Sequence, residues 1–153
     1  MAVISKINLL EQQEQHVLSI RTIIDFDNYP ETAKQAYGKI MAYAAQNNLL
    51  LSGSPFVCYH NTDLKNLDVE MGFPVAKPVP ENGDIVGHTI PVRKAVSGIF
   101  LGAYEDTDPL MFEIMQWIAA HGYEQQGTIY NYYLNDDDRN TSELLTQIVV
   151  PVK

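Results

Sequence analysis

The sequence predicts an α+β fold: tandem β-α-β-β repeats with pseudo-twofold symmetry, an antiparallel sheet with two main helices, and a ligand groove between the halves. Three observations predict it. Residues 38–63 align without a gap on residues 112–137 at an offset of 74, with identities at Ile40/Ile114, Met41/Met115, Ala45/Ala119, Gly53/Gly127, Tyr59/Tyr133, Asn61/Asn135 and Asp63/Asp137. Flanking matches extend the repeat at drifting offsets: His16/His88 and Arg21/Arg93 upstream at 72, Pro74-Val75/Pro151-Val152 downstream at 77. Both halves also carry strand-like and helix-like segments in the same order. Self-similarity at a fixed period is the mark of a duplicated architecture. At 153 residues the chain is one domain's worth of material. The expectation is a single domain over 1–153 with internal repeats at about 14–76 and 86–153.

The elements follow in order. Residues 16–24, HVLSIRTII, are β-branched and alternating, which predicts a strand. Tyr29-Pro30-Glu31 is a helix start, because proline suits the first turn, where its missing N–H has no partner to lose. The spacing of Tyr37, Ile40, Tyr43 and Ala44 gives residues 31–47 an apolar helical face, and Asn47-Asn48 ends it. Strands are predicted at 53–60 and 67–75. The stretch 77–84, KPVPENGD, is a loop by its prolines and glycine. The second half repeats the order: a strand over 88–102 with Pro91 marking an edge or bulge, a helix from Asp108-Pro109 to about His121 stopped by Gly122, and strands at 127–134 and 144–152.

Composition narrows the function. Apolar residues are 46% and charged residues 19%, ordinary for a globular chain. The net charge of −9 argues against direct nucleic-acid binding, which needs Lys and Arg to neutralise phosphates. No run approaches the 18 or so apolar residues of a membrane span, and no signal peptide is visible, so the cytoplasm is the expected compartment. Cys58 is the single cysteine, so no intramolecular disulfide can form. No phosphate-binding loop, dinucleotide fingerprint or nucleophile elbow is present. The four histidines at 16, 60, 88 and 121 have no second ligand at helical or hairpin spacing, so no metal site and no cofactor is expected.

The candidate binding residues are aromatic or lie at strand centres. The strand GTIYNYYL (127–134) puts Tyr130 and Tyr132 on one face and Asn131 and Tyr133 on the other. One face packs on helices; the other lines a cleft or meets solvent. Phe56, Tyr59, Tyr104 and Trp117 complete an aromatic set. On the third strand, LDVEMGFPV, alternation places Asp68, Glu70 and Gly72 on one face. A buried Glu70 must be paired, protonated or ready to meet a cation; a solvated strand face is the ordinary alternative. Its repeat partner is Gln147. The candidate ligand-binding residues are therefore Phe56, Tyr59, Glu70, Tyr104, Trp117, Asn131, Tyr133 and Gln147, and none is assigned as catalytic.

The repeat, the helix FEIMQWIAAHGY (112–123), the strand TIYNYYLNDD (128–137) and the ending ELLTQIVVPVK (143–153) resemble the GyrI-like small-molecule-binding domain. This is the effector-binding module of AraC-type and multidrug-responsive transcription regulators. The resemblance covers about residues 14–153. It implies a groove lined by aromatics, often with a glutamate that meets cationic, lipophilic ligands. The family pattern has Glu two residues before the strand tyrosine, where Asn131 precedes Tyr133. It also has Glu four residues before the terminal Pro-Val, where Gln147 precedes Pro151. Some relatives resemble hydrolases that rely on such acids.

The leading expectation is a stand-alone effector-type domain, since fewer than 16 residues precede the first predicted strand, too few for a helix-turn-helix. It would bind a small lipophilic molecule, cationic or neutral, as a sensor or sequestering protein. The alternatives are a gyrase-inhibitor-like interaction module, with gyrase or a transcription regulator as its protein partner, and a hydrolase of the same fold using Glu70, Glu105, Tyr133 or His60.

Overall fold

The computed structural model describes residues 2–153. Among these residues there are nine strands and two α-helices: β1 (Ala2–Val3), β2 (Asn8–Gln12), β3 (Gln15–Ile24), α1 (Tyr29–Gln46), β4 (Phe56–Tyr59), β5 (Leu67–Val75), β6 (Val86–Ile90), β7 (Arg93–Leu101), α2 (Asp108–Ala120), β8 (Ile129–Tyr133) and β9 (Leu145–Val152). The α+β class and antiparallel pairing agree with the sequence expectation. The chain forms two compact units. One is Glu14–Pro91; the other combines the N-terminal stretch up to Gln13 with Val92–Lys153.

In the Glu14–Pro91 unit the strand order is β4-β5-β3-β6. α1 begins with Pro30 in its first turn and closes with Asn48 in the left-handed region, φ 54°. Its buried stripe is Ala36, Ile40 and Ala44, at the i, i+4, i+8 positions that fall on one side of a helix. The ring of Tyr37 meets Phe73 edge-on at 5.5 Å between centroids. Phe73 shares its face of β5 with Met71 and Val69, paired to Leu18 and Ile20 of β3, and all five are buried. That face therefore carries α1. The opposite face presents Ser19, Arg21, Cys58, Asp68, Glu70 and Gly72.

Gly72 lets β3 and the Phe56 ring close over β5. A Cβ there would stand 2.4 Å from the Leu18 carbonyl oxygen and 3.0 Å from Phe56 Cζ. A backbone atom cannot step aside as a side-chain tip can. Gly72→Ala is expected to cost about 1–3 kcal/mol, the usual range for overpacking, read as a lowered urea midpoint at unchanged slope.

In the other unit β9 lies between β7 and β8, while β1 and β2 pair with successive parts of β7. Leu110, Ile114 and Ile118 of α2 pack on Val96, Phe100, Ile148, Val150 and Val152. Gly122 ends the helix at φ 75°, where a side chain would be strained.

Three features differ from the sequence reading. The strand read over 88–102 breaks at Pro91-Val92 into β6 and β7. Pro91 has no N–H to donate to a ladder, and β6 pairs with β3 instead of continuing toward β9. The upstream repeat register changes with it. Glu70 pairs with Arg21 while Gln147 pairs with Ile99, so β3 and β7 correspond at an offset of 78, not 72, and Ser19 is equivalent to Ser97. Finally, β1 and β2 were not expected; Lys6 and Asn8 interrupt their apolar pattern, and the edge of β7 defines them.

Candidate functional site

The centre of the Glu14–Pro91 unit's open face is Glu70, only 6% exposed. Its position follows from register. Cys58 of β4 and Arg21 of β3 flank Glu70 of β5 as Cα partners, so the three side chains emerge on one side. Ser19 is two residues from Arg21, and His60 two residues beyond Cys58, so both join that side. His88 of β6 pairs with Val17 and comes to the same face.

Three donors converge on the carboxylate. Ser19 Oγ donates to Oε2 at 2.6 Å. His60 Nε2 lies 3.0 Å from Oε1, and His88 Nε2 is hydrogen-bonded to Oε2. Burial alone would raise the pKa of Glu70. The hydrogen bonds from His88 and Ser19, the positive charge of His88 and the hydrogen bond from His60 outweigh it and hold the group at about 2, below its ordinary 4.5. An ionised carboxylate only accepts, so both imidazoles present Nε2–H. The same contact raises the pKa of His88.

The charges beside this cluster are paired. Arg21 is engaged by Asp68 in a two-pronged contact, Nε to Oδ1 at 2.9 Å and Nη2 to Oδ2 at 2.8 Å. Arg21 and Asp68 cancel, and Glu70 is left with the two histidines His60 and His88 as its partners. Ser19 is 2% exposed and donates to a charged group, a bond worth about 1.5–3 kcal/mol. Ser19→Ala is expected to destabilise the fold by about that amount, whereas Ser19→Thr, which keeps the hydroxyl, should recover part of it in a denaturant titration.

The second unit repeats the motif in neutral form. Gln147 of β9 donates through Nε2 to Ser97 Oγ at 3.0 Å, in the places held by Glu70 and Ser19. Tyr132 pairs with Gln147 and Tyr130 with Val149, so both tyrosines share the Gln147 face, and the Arg93 guanidinium lies over the Tyr130 ring at 4.2 Å. Asn131 pairs with Ile148, which packs on α2, so Asn131 and Tyr133 lie on the helix-bearing face. Tyr133 meets Tyr104 there, ring centroids 4.8 Å apart. Trp117, on α2, stacks on His121 at 3.8 Å and on Tyr123 at 6.0 Å. In the first unit Phe56 is fully buried on the Glu70 face, while Tyr59 pairs with Val69 on the α1 face and stacks on Tyr29.

Of the eight sequence candidates, Glu70 and Phe56 share one face of the first unit, and Gln147 occupies the equivalent face of the second. Ser19, Cys58 and His88 were not among the candidates. Spacing along the chain separates them, and only the β4-β5-β3-β6 order joins them. The alternating register of adjacent strands was the available signal, and the misplaced upstream repeat offset hid it.

The family described as GyrI-like small molecule binding domain matches residues 5–153. Among solved structures, the EcmrR C-terminal domain is similar at 27% identity and a TM-score of 0.85, over 98% of this chain and 98% of that one. EcmrR in its DNA complex is similar at 28% identity and a TM-score of 0.84; 97% of this chain is covered but only 57% of that chain, so this chain spans little more than half its length. SAV2435, in a structure bound to tetraphenylphosphonium, shares the fold at 14% identity, TM-score 0.68, over 97% of this chain and 94% of that one. A hydrolase from Listeria innocua also shares the fold at 14% identity, TM-score 0.71, over 99% and 94%. No curated protein matches by sequence.

Proposed function

The chain belongs to the GyrI-like small-molecule-binding domain family, and from that premise we propose that it binds a small lipophilic molecule, with a preference for cations, and acts as a sensor or sequestering protein. The observation that carries the reading is Glu70, a buried carboxylate held ionised by Ser19, His60 and His88 on a sheet face that also carries Phe56. A buried anion whose neighbouring fixed charges cancel attracts a positive ligand in a low-dielectric setting. Phe56 supplies an aromatic ring on the same face. In the second unit, Tyr130, Tyr132 and Gln147 share the face equivalent to that of Glu70 and carry no carboxylate there.

The relatives support the same direction. SAV2435 has a structure with tetraphenylphosphonium, a lipophilic cation, and EcmrR is a regulator seen on DNA. A net charge of −9 favours the sensing half of that division of labour over phosphate contact by this chain. Calorimetric titration with tetraphenylphosphonium tests the reading. Saturable one-to-one binding with a negative heat-capacity change, the sign of apolar burial, is expected. Absence of saturable binding for both that cation and a neutral lipophile of the same size would overturn it.

A further inference from the structure

The Cys58 thiol stands beside the Glu70 carboxylate and the His60 imidazole on the same sheet face. One Cys58 Sγ, one ring nitrogen of His60 and one carboxylate oxygen of Glu70 all lie within 4.8 Å of one another. The set has a built geometry. Cys58 and Glu70 are direct cross-strand partners, and His60 follows Cys58 at the two-residue period that keeps both on one side of β4. Cys58 is fully buried and Glu70 nearly so, while the His60 side chain retains 18% exposure and gives the cluster an opening.

We propose that Cys58, His60 and Glu70 form a binding site for a borderline-soft divalent metal ion of the zinc class. Thiolate, imidazole and carboxylate together are the donor types such ions select. The spacing fits. Metal–ligand distances of about 2.0 Å to nitrogen and oxygen and 2.3 Å to sulfur put tetrahedral ligands about 3.3–3.5 Å apart. His60 Nε2 and Glu70 Oε1 already stand 3.0 Å apart. The ion takes the place of the proton between them, and Cys58 Sγ closes in by rotation about its single side-chain bond. Three protein donors leave a fourth position toward the His60 opening for water or an external ligand. On the far oxygen of Glu70, Ser19 and His88 donate hydrogen bonds that fix the carboxylate, the outer support that metal-bound carboxylates use. Binding releases the thiol proton to solvent, and the neutral imidazole of His60 carries its proton on Nδ1 so that Nε2 can ligate.

Cobalt(II) is the probe, because its thiolate complexes give a charge-transfer band in the near ultraviolet and a tetrahedral pattern in the visible. With a single cysteine in the chain, any such band belongs to Cys58. Chelator-treated full-length protein is titrated with cobalt alone, then with zinc. The expected result is a one-to-one thiolate band that zinc abolishes. Cys58→Ser should remove the band, His60→Ala should weaken cobalt affinity at least ten-fold, and His121→Ala, on α2, should leave it unchanged. His60→Ala keeps the test intact should the buried Cys58→Ser variant fail to fold. No thiolate band at saturating cobalt, or a band of undiminished affinity in His60→Ala, would overturn the proposal. Because no organic ligand is used, that failure leaves lipophilic-ligand binding untouched, and failure of the tetraphenylphosphonium titration leaves the metal site untouched.

Discussion

Glu70→Gln is expected to weaken tetraphenylphosphonium binding by about ten- to a hundred-fold while changing the affinity of neutral triphenylphosphine oxide by less than about three-fold. The size follows from Coulomb's law. A unit charge about 6 Å from the carboxylate, at an effective dielectric near 20, gains about 3 kcal/mol, which is about two decades in Kd before screening. The substitution is suited to the question because glutamine keeps the shape of the side chain. Its amide nitrogen turns one acceptor into a donor opposite Ser19, His60 and His88. An imidazole can relieve the conflict by moving its proton to the other ring nitrogen and accepting. The folded state should therefore survive, and the loss reports charge. Equal losses for the cation and the neutral compound would mean that Glu70 acts only by holding the sheet together.

Ile114→Ala and Ile40→Ala are each expected to cost about 2–5 kcal/mol in denaturant unfolding, the range for emptying a buried aliphatic site. Both side chains are fully buried at the centre of a helical stripe, Ile40 between Ala36 and Ala44, Ile114 between Leu110 and Ile118. Against a total stability of about 5–15 kcal/mol, either loss is large. Ile114 is flanked by Leu110 and Ile118, larger than the Ala36 and Ala44 that flank Ile40, and packs among Val96, Phe100, Ile148 and Val150, so its cost should be the greater of the two. Phe112→Ala, 64% exposed on the same helix, should stay within about 0.5 kcal/mol of the parent. A Phe112 effect as large as that of Ile114 would put the buried stripe of α2 on the wrong side.

The pairing of Ile40 with Ile114 was visible in the sequence, and so were both helices and the limits of β5, because each is a local pattern. Periodicity, a proline in the first turn and Asn48 or Gly122 after the last turn are written in consecutive residues. Glu70 was also legible as a lone strand acid matched to Gln147, and the equivalence survives in detail: Ser19 serves one and Ser97 the other. What lay beyond reach was set by neighbours across the sheet. His88 looked like the repeat partner of His16, yet it sits on β6 and completes the cluster on Glu70. Alternation separated Tyr130 and Tyr132 from Asn131 and Tyr133 correctly, but both faces of β8 carry large side chains. Nothing in the strand itself says which face α2 covers, so the aromatic set named from sequence is divided between faces.

The most direct test compares two ions of the same shape and opposite charge. The chain is titrated with tetraphenylphosphonium and with tetraphenylborate at matched ionic strength, as the parent protein and as Glu70→Gln. The parent should prefer the cation by at least ten-fold, and the variant should lose most of that preference. Equal affinity for the two ions in the parent protein, or tighter binding of the anion, would contradict the assignment of Glu70 as the charge that selects the ligand.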